Sequence, residues 1–299
     1  MQVKNENKEF FNIDELTLSM YCPSTLFEEF SQMASEMVYD NLDGYTITCI
    51  EKNDIENPTK IVIAVDFNPQ LPFGIFMLDR GKERAYLSIN KQICYETLNV
   101  INGIKSNLLP CVEYIISNLG FDLDTVILEK MTLVRDSQFN IIKMLSLLNS
   151  TNKFDVILNE TKQKDPVYLI DKYFIKDTNT SYNKFSRMHK QNVFYSCNLI
   201  GTIEIACYEK SKEIHNVSHE YFIFNYIEIP ENEKFFRTEI ILHNNFQLKK
   251  FYKEKGIEDH GFFTLNEYFT YDKIKELFDY LLPKLIRFEN KETGEIINI

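Results

Sequence analysis

Apolar positions along the chain recur in two rhythms. In PSTLFEEFSQMASEMVYDNLDG, Leu26, Phe27, Phe30, Met33 and Met37 follow a helical period, with Ser24 as N-cap and Gly44 beyond the end, which predicts an amphipathic helix. Four short apolar runs come next: YTITCI at 45–50, KIVIAVDF at 60–67, FGIFML at 73–78 and RAYLSI at 84–89. Asn, Asp, Pro and Gly separate them, so they predict an antiparallel meander. Residues 1–12 are polar and are expected to be loose.

The later chain alternates between the two rhythms. Residues 98–119 predict one or two helices interrupted near Pro110 and stopped by Gly120. TVILEKMTLVRD at 125–136 reads as a strand, and SQFNIIKMLSLLNS as a helix with Phe139, Ile142, Leu145 and Leu148 on one face. Further strands are expected at 153–160, 166–175, 201–208, 221–229 and 235–243, a basic helix at 245–255, and a helix from 271 to at least Leu282. The fold class is therefore α+β, with antiparallel sheets carrying helices on one face and two similar halves, 13–120 and 121–288, within a single domain.

Composition narrows the class. The chain has 299 residues, 44% hydrophobic and 14% aromatic, enough for a substantial core. No run of eighteen apolar residues and no basic, apolar leader is present, so the expected location is the cytoplasm, with no membrane partner. The six cysteines, at 22, 49, 94, 111, 197 and 207, lack metal-ligand spacing and read as buried thiols. His215 and His219 are four residues apart but fall in a segment that reads as a charged loop, with no third zinc ligand evident.

The formal charge of -11 disfavours a protein that coats nucleic acid non-specifically, since that affinity comes from neutralising phosphates. Local cationic stretches remain. KDTNTSYNKFSRMHKQ at 176–191 contains Lys184, Arg187 and Lys190, and LKKFYKEKG at 248–256 contains Lys249, Lys250 and Lys253. Either could contact a phosphate backbone or form an ordinary solvated surface. Phosphate-cradling and common hydrolase or zinc-protease motifs are absent.

YSCNLIGTIEIACYEKSKEI, followed about thirty residues later by FFRTEIILHN, resembles the catalytic region of rolling-circle replication initiators of plasmids and phages. On that resemblance Tyr195 stands at the nucleophilic tyrosine. Tyr208, Lys210 and Glu213 match a tyrosine-x-lysine-x-x-glutamate strand end, and Arg237 and Glu239 match an arginine-x-glutamate strand. Lys130, Thr132 and Asp136 stand where the family has an arginine and two aspartates, so the first carboxylate is missing.

The resemblance implies a Rep-like nicking domain that cuts and rejoins single-stranded or hairpin origin DNA through a 5′-phosphotyrosine link, with a host helicase as a further partner. Tyr195 and Lys210 are then the catalytic candidates. Asp136 and Glu239 are the candidates for holding Mg2+ or Mn2+, and Lys184, Arg187, Lys190, Arg237, Lys249, Lys250 and Lys253 those for touching DNA. Alternative readings are a DNA-binding protein on the same fold that does not cut, and a structural or interaction protein of a mobile element.

Overall fold

The structure, a computed structural model, describes residues 9–36, 41–42, 45–54, 57–68, 71–98, 109–151, 153–158, 161–162, 194–197, 202–227 and 229–298. Strand β1 (Glu9–Tyr21) leads into α1 (Ser24–Glu36), the short β2 (Asn41–Leu42), and the meander β3 (Tyr45–Lys52), β4 (Lys60–Asn68), β5 (Leu71–Asp79) and β6 (Arg84–Ile89). Helices α2 (Lys91–Leu98) and α3 (Leu109–Asn118) follow, then β7 (Ile127–Ser137), α4 (Ile141–Ser150), β8 (Phe154–Leu158) and β9 (Thr161–Lys162). After these come β10 (Phe194–Cys197), β11 (Ile203–Glu209), the short helices α5 (Lys210–Glu213) and α6 (Phe224–Ile227), and β12 (Phe236–Leu242). Helices α7 (Phe246–Lys255), α8 (Phe262–Glu267) and α9 (Tyr271–Leu285) precede the final strands β13 (Ile286–Asn290) and β14 (Ile296–Asn298).

The fold is α+β with antiparallel pairing, as the sequence rhythms predict. It divides into two compact units, one of residues 13–131 and 243–273, the other of residues 1–12, 132–242 and 274–299. In the first, the sheet order is β1-β6-β5-β4-β3-β2. Alternation buries Leu16, Leu18, Ile61, Ile63, Phe76, Leu78 and Leu87, while Ile75 and Met77 on the opposite parity stay exposed. Phe121 stacks between Phe30 of α1 and Phe76 of β5, at 6.0 and 5.6 Å, so α1 covers the buried face.

In the second unit the order is β10-β11-β12-β7, with a four-stranded sheet β14-β13-β8-β9 besides. The order β4-β5-β6-β1 of the first unit thus recurs as β10-β11-β12-β7. Helix α9 supplies Phe278, which meets Phe11 edge-on at 5.4 Å and carries the Arg135 guanidinium over its ring at 5.5 Å.

Local chemistry sets several boundaries. Gly120 takes φ +81° and ends α3, its amide donating to Ser117. Pro110 sits in the first turn of α3, where a missing N–H is harmless, and does not interrupt the helix. Asn140 caps α4, accepting from the Lys143 amide at 2.9 Å.

Some expectations fail. Residues 9–12 are not loose but begin β1, because Phe11 is buried against Phe278. Ser24 is the first helical residue, not the cap, since the Pro23 carbonyl already accepts the Phe27 amide at 3.0 Å. The expected strand at 221–229 is a 3-10 turn, Tyr221–Ile223, followed by α6; together they bury Ile223, Phe224 and Ile227 at helical spacing. His215 and His219 lie at a π-helical turn, Ile214–Ser218, and its left-handed end, not in a loop. The expected strand at 166–175, Gly44 and the segment 176–191 lie outside the described residues.

Two outcomes are expected. A Cβ at Gly74 would stand 2.7 Å from the Ser88 carbonyl oxygen across β5 and β6, so Gly74→Ala should destabilise by about 1–3 kcal/mol, read as a melting temperature lowered by ~2–8 °C. Cys207 is buried, and burial pushes its thiol up to about 12. Iodoacetamide at pH 8 should therefore spare Cys207 in the native protein and label it after denaturation, as peptide mapping by mass spectrometry would report.

Candidate functional site

The unit formed by β10, β11, β12 and β7 contains most of the residues that the sequence singles out. Strand alternation places Glu204, Ala206 and Tyr208 of β11 at one parity, and Arg237, Glu239 and Ile241 of β12 at the matching one. The antiparallel register pairs Tyr208 with Arg237, Ala206 with Glu239, and Glu204 with Ile241. On the other edge of β11, Tyr195 of β10 pairs with Ala206, and Cys197 with Glu204. Tyr195, Ala206 and Glu239 therefore form one row across three strands.

A hydrogen-bonded network ties β7, β12 and β11 together. The Arg237 guanidinium grips the Asp136 carboxylate bidentately, with Nε donating to Oδ1 at 2.7 Å and Nη2 to Oδ2 at 2.6 Å. Its Nη1 lies 3.9 Å from Oε1 of Glu239, and the Tyr208 phenol donates to that same oxygen. Arg237 and Tyr208 are 0% exposed, Asp136 and Glu239 1%. At such burial each charge is tolerable only through its partners.

Lys210 sits where β11 turns into α5 and belongs to a different cluster. Its Nζ lies 2.6 Å from Glu213 and 2.9 Å from Glu220, and Ser218 donates to Glu213 at 3.1 Å. The Lys210 backbone amide donates to the Phe235 carbonyl at 3.1 Å, fixing the strand-to-helix corner. The ammonium is wholly buried. Two carboxylates thus neutralise the cation expected beside the nucleophile.

These placements correct several sequence expectations. Arg237, expected to touch DNA, has no exposed surface and serves Asp136 instead. Asp136 and Glu239 do converge, but on a guanidinium: both Asp136 oxygens accept from Arg237, so this donor set does not fit a divalent cation competing for the same oxygens. Among the described residues no group of three or more His, Cys, Asp or Glu is placed to hold a metal. Thr132 is buried, and Lys130 pairs with Glu15 at 2.6 Å.

The other cationic candidates divide. Lys249, Lys250 and Lys253 lie exposed on α7, whose Leu248, Phe251 and Tyr252 are buried and whose C-terminus closes on Gly256 at φ +68°. Lys184, Arg187 and Lys190 fall outside the described residues. The sequence reading passed over Glu204, which is 5% exposed and one row from Tyr195. Counting back from Tyr208 in steps of two would have found it.

The fold and this face define an α+β protein whose antiparallel sheet carries a polar, ionised face. No protein-family model matches the chain, and no curated protein matches it. Among solved structures it is similar to a rolling circle replication initiator protein from Geobacillus stearothermophilus, over 96% of this chain and 89% of that one, with a TM-score of 0.46 and 11% identity. No helix among the described residues is long and apolar enough to cross a membrane.

The network makes a quantitative prediction. Arg237→Met removes the partner of a buried carboxylate and should destabilise the protein by about 3–5 kcal/mol, measured by urea denaturation. Adding Asp136→Leu should recover much of that loss, because the second substitution removes the stranded charge. Arg237→Lys should rescue only in part, since an ammonium cannot reproduce the two-pronged grip.

Proposed function

We propose that the protein initiates replication by nicking and rejoining origin DNA, with Tyr195 as nucleophile. The observation that carries this reading is the row of Tyr195, Ala206 and Glu239, flanked by Glu204, Tyr208 and Arg237. A tyrosine is thereby aligned with acidic residues across a small alanine, on strands held in register by buried ion pairs. The resemblance of YSCNLIGTIEIACYEKSKEI and FFRTEIILHN to rolling-circle initiators supports the same assignment.

In the reaction, the Tyr195 phenolic oxygen attacks a DNA phosphorus, the bond to the 3′ oxygen breaks, and a 5′-phosphotyrosine link forms. The departing 3′ oxygen takes up a proton and becomes the hydroxyl from which a polymerase extends. Attack by a 3′ hydroxyl on the phosphotyrosine reverses the step and rejoins the strand. Since Asp136 is committed to Arg237, no step is routed through a metal there. The exposed lysines Lys249, Lys250 and Lys253 supply phosphate contacts that hold the DNA.

A second reading, a DNA-binding protein that does not cut, is favoured by one observation: Asp136 and Lys210 both spend their charge on internal partners. A single experiment separates the two. End-labelled single-stranded oligonucleotides spanning the origin of the protein's own replicon, incubated with and without manganese, should yield a cleaved product and a covalent protein–DNA band, both absent with Tyr195→Phe. Retained origin binding with neither product would select the non-cutting reading. Manganese dependence would show that a cation binds once DNA is present.

A further inference from the structure

We propose that the outward face of β4, β5 and β6 is where a second copy of this chain docks, the two sheets lying face to face about a two-fold axis. Lys60, Val62, Ala64 and Asp66 of β4 alternate with the buried Ile61, Ile63 and Val65, so they stand on the side away from the core. The same holds for Ile75 and Met77 of β5, against buried Phe76 and Leu78, and for Arg84, Tyr86 and Ser88 of β6, against buried Ala85, Leu87 and Ile89. The register joins these positions into rows: Ala64, Ile75 and Ser88 form one, and Val62, Met77 and Tyr86 the next. The middle of this continuous surface is apolar, with Ile75 46% and Met77 36% exposed. A contiguous apolar surface rimmed by charge marks a contact with another macromolecule.

The charges select the occupant. One end of the face is cationic: Lys60 and Arg84 flank Asp79 in the row beyond Met77, and the Lys82 ammonium lies 5.6 Å from the centre of the Tyr86 ring. The other end of β4 carries Asp66, whose carboxyl is held above its ordinary range by partial burial, so a cation brought against it is a gain. Lys60 and Asp66 stand roughly 20 Å apart along the strand, at about 3.3 Å per residue. A second copy turned about an axis that crosses the strands level with Ile63 and Phe76 sets Lys60 against Asp66 of the partner subunit, and Met77 over Ile75 of the partner subunit. Such an isologous contact needs a surface complementary to itself, which this one is. A nucleic acid strand needs cations along its whole path, whereas here they stop at one end, with Glu51 of β3 opposite Val62 and Asp66 beyond.

The size of the face sets the strength of the contact. With the flanking β3 and β1, five strands about 4.8 Å apart and roughly 20 Å long give a footprint of roughly 500 Å2 per copy. The total, about 1,000 Å2, is at the lower bound for a specific interface, so the dimer should be reversible and form at micromolar concentration.

Sedimentation equilibrium of the full-length protein, loaded from about 1 to about 200 µM to span that range, tests the proposal. The wild type should pass from monomer to dimer. Met77→Lys sets an ammonium into the apolar middle and Asp66→Lys sets like charges against each other, so each should raise the dissociation constant roughly ten-fold or more. Added salt should ease the effect of Asp66→Lys and not that of Met77→Lys. Both positions face outward, so both variants should keep the circular dichroism and melting temperature of the wild type. A wild type that stays monomeric throughout overturns the proposal, and if its affinity for single-stranded DNA then falls with Met77→Ala, the face belongs to nucleic acid. A dimer that either lysine variant leaves as tight as the wild type also overturns it.

Discussion

The grip of Arg237 on Asp136 is the constraint around which the second unit is organised. A guanidinium and a carboxylate with no exposure exist as ions only if each satisfies the other, and this pair does so through two parallel hydrogen bonds between β12 and β7. The grip fixes the spacing and register of those strands. Glu239, two residues along β12, follows from it, and the Tyr208 phenol extends the tie to β11. The row containing Tyr195 is then set by backbone pairing between β11 and β10. The backbone register of this face thus rests on charges that are themselves inaccessible.

The Lys210 cluster has a comparable role at the end of β11. Burying the ammonium beside Glu213 and Glu220 holds the chain through a strand-to-helix corner and a π-helical turn that ends at His219, a non-glycine residue at φ +56°. Such backbone is sparsely populated and persists where surrounding contacts over-determine it. In the first unit, Lys91 and Tyr95 of α2 close on the buried Asp14 of β1, at 2.8 and 3.3 Å. Each unit therefore follows one of its central strands with a helix whose first residue is a lysine bound to a carboxylate.

Much of the fold was legible because its elements keep clean periods. The meander β3–β6, the strand β7 and helix α4, and β12 with α7 fall close to where alternation or helical spacing puts them. Strand β1 was missed although Leu16, Leu18 and Met20 alternate, since Asp14 interrupts the apolar signal and its partners Lys91 and Tyr95 are distant in sequence. The run at 221–229 misled for the opposite reason. Its aromatic and β-branched residues carry strand propensity, but burial of Ile223, Phe224 and Ile227 selects helical turns. For the site, the positions were visible but their pairing was not: nothing local to Arg237 announces that Asp136, a hundred residues earlier, will occupy both arms of its guanidinium.

The division of the chain between the units has an evolutionary consequence. One unit draws on residues 1–12, 132–242 and 274–299 and the other on 13–131 and 243–273, so β1 and β7 each belong to both. A single genetic crossover anywhere between residues 13 and 273 leaves neither unit whole. Exchanging one unit for a foreign counterpart therefore takes a crossover at each of the four boundaries between them.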